Sequence, residues 1–314
     1  MTFVNCLLAA AGIYVLLVLA PSAVLYKVVF RRKNGIMFTD RDLSKTYLSG
    51  CADKMCEDIE HFRKLEYEPV SVTVPDGTEL KGHYYSLGGD KLAICFHGYG
   101  STTLNCFATM GRFLRSRGYD LLMPVERGHG ESGGKCSTLG VLEQYDVKKW
   151  VEWACERDGI EKIVVAGVSM GCVAAAYASD AICGGKVKAL ILDCGYTSPY
   201  NQVIQDCKKR HLPYRLMMPV ISTCAKIFDG LELKEPVWTH LERTTIPALF
   251  IHGGGDETVP LKETKINYEH CASPKRLYIA PEANHANAFL TGGKEAENAM
   301  KEFLDCYVER RYEV

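Results

Sequence analysis

The chain lacks any excess of charge of one sign: 37 basic residues stand against 38 acidic ones, a formal net charge of -1. No whole-protein field therefore draws it to nucleic acid or to a strongly charged partner. It lacks a C-x-x-C pair and any close Cys/His grouping, so its 14 cysteines do not read as a zinc site. Several fall inside apolar runs, Cys95 in LAICF and Cys194 in LILDC, where a thiol acts as a small buried hydrophobe. They read as free thiols in a reducing compartment rather than as a disulfide framework. Internal repeats and low-complexity tracts are absent too, which excludes solenoid and fibrous classes. What remains is a chain of 314 residues, 47% of them hydrophobic, with enough apolar surface for a substantial core.

One further absence concerns charge along the chain. From Phe3 to Tyr26 no side chain is ionisable as Asp, Glu, Lys or Arg, and about 20 apolar residues suffice to cross a bilayer as a helix. Residues 1–30 are therefore expected to form a transmembrane anchor. A cleaved signal peptide is the alternative, with Ala20-Pro21-Ser22-Ala23 as cleavage site. Such a peptide wants a basic segment ahead of its apolar core, and none precedes Lys27. Lys27, Arg31, Arg32 and Lys33 follow the run directly, and basic flanks stay cytoplasmic. The expectation is a single-pass membrane protein whose catalytic domain faces the cytoplasm.

Residues 31–68 read as a linking helical segment, with Leu43, Tyr47, Leu48 and Cys51 on one face. From 69 to 314 the pattern is that of a compact domain. VSVTV and ELKGHYY are joined by Pro75-Asp76-Gly77-Thr78 in hairpin chemistry. KLAICF, DLLMPV, KIVVAGV, VKALILD, PALFIHG and RLYIA follow as buried strands, with helical stretches at 105–116, 139–157 and 295–308. Strand and helix in alternation predict an α/β domain with a mostly parallel eight-stranded sheet covered on both faces. The interval 196–245, with Pro199, Pro213, Pro219 and Pro236, breaks the alternation and reads as a short helical lid over the strand ends, where such sheets bind ligands.

The chemistry sits in three loops. Gly167-Val168-Ser169-Met170-Gly171 follows a strand and opens a helix, the context G-x-S-x-G requires to lift a serine above the sheet edge. A hydroxyl needs a base in reach, and among nine histidines His285 lies in the loop between the last strand and the last helix, on the same edge. Asp256, in HGGGDETVP, is the better-placed acid to orient that base; Asp193, ending VKALILD, is the rival. Backbone amides of Tyr99, in HGYG, and of Met170 are expected to meet a developing oxyanion. Arg127, in ERGHGES, is expected to pair with a carboxylate such as Asp146 and pin its loop. No metal and no cofactor are called for.

HGYG, ERGHGESGG, GVSMG, GGGDETVP and ANHA, in that order, resemble the α/β-hydrolase superfamily. The chain is most similar to its serine aminopeptidase and monoacylglycerol lipase-like branch, in particular to bacterial members with one amino-terminal membrane segment, over about residues 70 to 308. The resemblance implies Ser169, Asp256 and His285 as triad, and Tyr99 and Met170 as oxyanion amides. The expected activity is hydrolysis of a carboxylic ester with a medium or lipid-like acyl group, the apolar lid residues Leu216, Met217, Met218, Val220 and Ile221 motivating the lipid preference. A peptidase, a thioesterase or a non-catalytic binding member of the fold are the alternatives. The expected partners are a small ester or lipid-like substrate and the membrane, with nucleic acid excluded.

Overall fold

A computed structural model describes residues 3–31, 52–182 and 185–309. In chain order the elements are α1 (Phe3–Tyr14), a π-helical turn (Val15–Leu19), α2 (Ala20–Phe30), α3 (Ala52–Arg63), β1 (Glu68–Thr73), β2 (Glu79–Tyr85) and β3 (Lys91–Phe96). Then come α4 (Thr103–Ser116), β4 (Tyr119–Pro124), α5 (Glu143–Cys155), β5 (Lys162–Val168), α6 (Met170–Ala178) and β6 (Val187–Asp193). The remainder is α7 (Pro199–Lys209), α8 (Tyr214–Asp229), α9 (Trp238–Leu241), β7 (Ala248–Gly253), α10 (Leu261–His270), β8 (Lys275–Ala280) and α11 (Ala288–Leu304).

The eight strands form one sheet in the order β1-β2-β4-β3-β5-β6-β7-β8. β1 and β2 pair antiparallel, as do β2 and β4. Every later pairing is parallel. Burial follows position. Edge strand β1 alternates exposed and buried residues, whereas central β3 and β5 are buried on both faces beyond their first residue, as parallel strands under helices must be. One apolar cluster fills the face under α5, α6 and the lid, with Trp150, Tyr177 and Tyr196 at its centre. The other lies under α3, α4 and α11 around Phe62, Phe107 and Phe303. Strand order reverses at β3, between β4 and β5, and this switch point opens a crevice at the carboxyl ends of the strands.

All eight expected strands are present, and the lid interval carries α7, α8 and α9. The amino terminus is different. The apolar run is divided by the π turn, and no helix among the described residues is long and apolar enough to cross a membrane. This overturns the expected transmembrane anchor, and with it the membrane as partner and the single-pass placement. The physical reason lies in what α2 covers. Ser22, Tyr26 and Phe30, four residues apart, are buried, and Tyr26 packs on Phe228 of α8 at 6.2 Å between ring centroids. Arg31 pairs with Asp229 at 3.2 Å instead of standing free as a membrane flank. The side chains of Phe3, Leu7 and Leu8 on α1 are exposed.

Of the linking segment, Leu43, Tyr47, Leu48 and Cys51 lie outside the described residues. Its last part, α3, is a layer of the domain. Met55, Ile59 and Phe62 are buried against the sheet's second face. The buried Asp58 carboxylate accepts from Arg112 and Thr109 of α4, at 2.6 Å each. The twelve described cysteines are free.

The loop after β4 is pinned as expected. Arg127 Nε donates to Asp146 Oδ2 at 2.7 Å, and a guanidinium nitrogen donates to Asp76 at 2.8 Å. Arg127 and Asp146 side chains are only 4% and 1% exposed. Removing one partner of a buried pair strands the other charge, at a cost of about 3–5 kcal/mol. Arg127→Met should lower unfolding stability by that order in a urea titration; a loss below about 1 kcal/mol would show that the pair does not pin the loop.

Candidate active site

Ser169 follows β5 and caps α6 with φ 54° and ψ -112°, a backbone conformation that costs a non-glycine residue about 1–3 kcal/mol. The neighbours explain how the turn closes. A Cβ on Gly167 would overlap the Gly171 carbonyl, and one on Gly171 would overlap the Phe96 carbonyl at the end of β3. Both positions need glycine because three backbones meet there. Gly98 packs against Ser169 from the far side, its Cβ position 3.4 Å from the serine Cβ.

His285 stands in the loop between β8 and α11, across from the serine. Its Nε2 lies 2.9 Å from Ser169 Oγ, and its Nδ1 lies 2.7 Å from Asp256 Oδ2. With Nδ1–H donating to the carboxylate, Nε2 is left to accept the hydroxyl proton. The other carboxylate oxygen, Oδ1, accepts the amides of Thr258 and Val259, each at 2.8 Å. Asp256 is thus clamped before it orients the ring. The rival Asp193 ends β6 with its carboxyl buried, one oxygen unpartnered and no contact to the histidine. Burial, with Asp256 nearby, raises its pKa to about 8. The structure therefore brings Ser169, His285 and Asp256 together and leaves Asp193 behind them.

The amides of the HGYG loop are nearly all engaged. Gly98 N–H donates to Cys106 Sγ at 3.5 Å, Gly100 N–H to His129 Nε2 at 2.9 Å, and Ser101 N–H to Gly98 O at 3.2 Å. Tyr99 N–H donates to no acceptor among the described residues. Neither does the amide of Met170, at the amino end of α6, where the helix dipole favours negative charge. These two amides are thus uncommitted among the described residues.

Two histidines hold that loop, a task that the sequence suggests only as general loop geometry. Buried His97 has Nδ1 2.9 Å from Gly98 O and accepts the Glu126 amide on Nε2 at 3.0 Å. His129, stacked edge-on to it at 5.0 Å, has Nδ1 3.0 Å from Arg127 O and accepts the Gly100 amide. Each ring must be neutral to accept on Nε2 while donating from Nδ1. Nothing in spacing shows these cross-loop bonds, since their partners are 29 residues apart. His252, also buried, bridges Thr264 Oγ1 at 2.8 Å and Val259 O at 2.9 Å, behind Asp256.

A metal would find one set of donors among the described residues: Cys194, Asp256 and His285, whose donor atoms lie within 4.8 Å of one another. Asp256 and His285 are already joined to each other and to the serine, so the arrangement serves proton transfer as it stands.

Comparison with known proteins bears on the fold. A family model for the alpha/beta hydrolase fold matches residues 93–219. The uncharacterized protein YqkD of Bacillus subtilis is 28% identical over 306 residues, covering 95% of this chain and 97% of its own. A carboxylesterase of the same organism is 26% identical over 157 residues, 48% of this chain and 54% of that protein. A solved structure of an esterase from Pyrococcus furiosus is 25% identical and superimposes with a TM-score of 0.63 over 80% of this chain and 95% of that one.

The neutral state of His97 has a measurable signature. Burial, helped by His129, lowers its pKa from 6.5 to about 3. The unfolded chain takes up a proton near pH 6.5 and the native ring does not until about pH 3. Stability must therefore fall as pH is lowered through that window, by up to about 1.4 kcal/mol per pH unit. In urea titrations between pH 7 and pH 4, His97→Gln should lose this component and show a shallower slope than the parent; equal slopes would refute the assignment.

Proposed function

We propose, on the premise that this chain is an α/β-hydrolase by fold, that it is a serine hydrolase cleaving carboxylic esters through an acyl-serine intermediate. The observation that carries the reading is the continuous Ser169–His285–Asp256 hydrogen-bond chain.

In this mechanism Ser169 Oγ attacks the ester carbonyl carbon while its proton passes to His285 Nε2. Asp256 stabilises the imidazolium, and the carbonyl oxygen, now an oxyanion, accepts from the Tyr99 and Met170 amides. Collapse expels the alcohol, which takes the proton from His285 and leaves the acyl group on Ser169. Water then attacks the acyl-serine, giving its proton to the same nitrogen, and the carboxylic acid departs as the proton returns to the serine. The chain-length preference rests on less than the lid sequence suggests. Met217, Met218 and Ile221 are buried within the packing around α8, and Leu216 is exposed. These side chains hold the lid together, so the acyl preference has to be read from substrates.

One observation favours a second reading, cleavage next to a free amine. The half-buried Asp206 of α7 lies close enough to Tyr99 and His285 for their charges to interact, and a carboxylate there could receive a substrate ammonium group.

The test is hydrolysis of p-nitrophenyl esters of graded acyl length, beside the alanyl ester, by the full chain. Ser169→Ala and Asp256→Asn should each lower kcat about a thousandfold or more. Activity surviving in both variants would refute the assignment. An alanyl ester turned over faster than the propionyl ester, with the advantage lost in Asp206→Asn, would favour the second reading.

A further inference from the structure

The run that crosses no membrane is tied at its end to the proposed active site. Three attachments meet in the last two turns of α2. The first is the lid: Tyr26 donates its phenolic proton to Asp229, the final residue of α8, and Arg31 pairs with the same carboxylate at 3.2 Å. Both cross about 200 residues of sequence. The second is the HGYG loop, where Tyr99 donates its hydroxyl to the main-chain carbonyl of Val28 at 3.2 Å. The third is the segment before α5. Ser137 N–H donates to Phe30 O at 3.0 Å, Arg31 bridges Cys136 as an isolated β-pair, and Ser137 Oγ lies 3.1 Å from Met170 Sδ.

Tyr99 and Met170 are the two residues whose amides are proposed above as oxyanion donors. One side chain is thus fixed directly by α2, and the other touches a segment that α2 fixes. Phe30, fully buried at 0% exposure, leaves the end of the helix little freedom to slide.

We propose that residues 26–31 are a positioning element of the hydrolase, holding Tyr99 and Met170 in register across the serine and seating the lid helix at the same time. The inference rests on the reading of Ser169 as nucleophile and of these amides as its oxyanion donors. Tyr99 and Tyr26 act here through their phenols, so the phenylalanine variants remove the ties while leaving backbone amides and ring packing in place.

The experiment is a double-mutant cycle in the full chain with Tyr99→Phe, Tyr26→Phe and the pair, following p-nitrophenyl ester hydrolysis, fluorophosphonate labelling rate and thermal unfolding. Tyr99→Phe should lower kcat about five- to tenfold, the scale of one hydrogen bond, with KM and melting temperature little changed. Labelling should slow in parallel, because the phosphonyl oxygen uses the same two amides. Tyr26→Phe should lower kcat in the parent and by a smaller factor in the Tyr99→Phe background, where only the ties to the lid and to Ser137 remain for it to act through. Additive effects, an unchanged kcat in Tyr99→Phe, or a fall in kcat that tracks a fall in melting temperature would overturn the inference. A parent inert to both ester and fluorophosphonate would overturn the functional reading itself, and this inference with it.

Discussion

The site depends on how closely three stretches of backbone approach at the end of β5. Gly171 sits against the Phe96 carbonyl and Gly167 against Gly171, so the chain can turn from strand to helix within one residue. That residue, Ser169, absorbs the strain at φ 54°. Such a conformation persists only where its surroundings over-determine it. Here the supports are the parallel ladder to β3 and β6, the Ser169 amide on Asp193 O at 2.9 Å and the start of α6. The hydroxyl is consequently presented at the switch point of the sheet, at the one edge that the β3, β7 and β8 loops also reach.

A second layer fixes the polar groups around that serine. Asp256 is held by two amides before it meets His285, and the HGYG loop is held by two imidazoles that accept amide hydrogens. This use of histidine is economical in donors: each ring satisfies one carbonyl and one N–H, leaving Tyr99 N–H without a partner among the described residues. It also ties the loop's geometry to the neutral state of the buried His97 ring, whose pKa burial lowers to about 3. The amino-terminal helix adds a third layer outside these, spanning from the end of α8 to Tyr99 and Ser137.

Much of this was legible in the sequence, for physical reasons that differ by element. The central strands are nearly continuous Val, Ile, Leu and Ala because both faces are buried, and runs of that kind punctuated by glycine loops need no long-range information to recognise. The G-x-S-x-G spacing is readable because the steric demand is local. Arg127 and Asp146, 19 residues apart, could be paired from their opposite charges. The amino terminus is not legible in this way, because a stretch without charge has two physical uses and hydropathy does not separate them. Tyr26 buries against α8, some 200 residues away, and only the folded chain shows that neighbour. The lid side chains Met217, Met218 and Ile221 were open to the same ambiguity: apolar residues near a binding crevice can line it or pack beneath it, and here they are buried with the rest of the core.

The central claim is that Ser169, alone among the hydroxyls and thiols of this chain, is the nucleophile. The most direct measurement is mass-spectrometric mapping of the protein after reaction with a fluorophosphonate at neutral pH. The account predicts one equivalent of adduct, on the peptide bearing Gly167-Val168-Ser169-Met170-Gly171, and at the serine within it. An adduct on another serine or on one of the cysteines, with Ser169 unmodified, would contradict it.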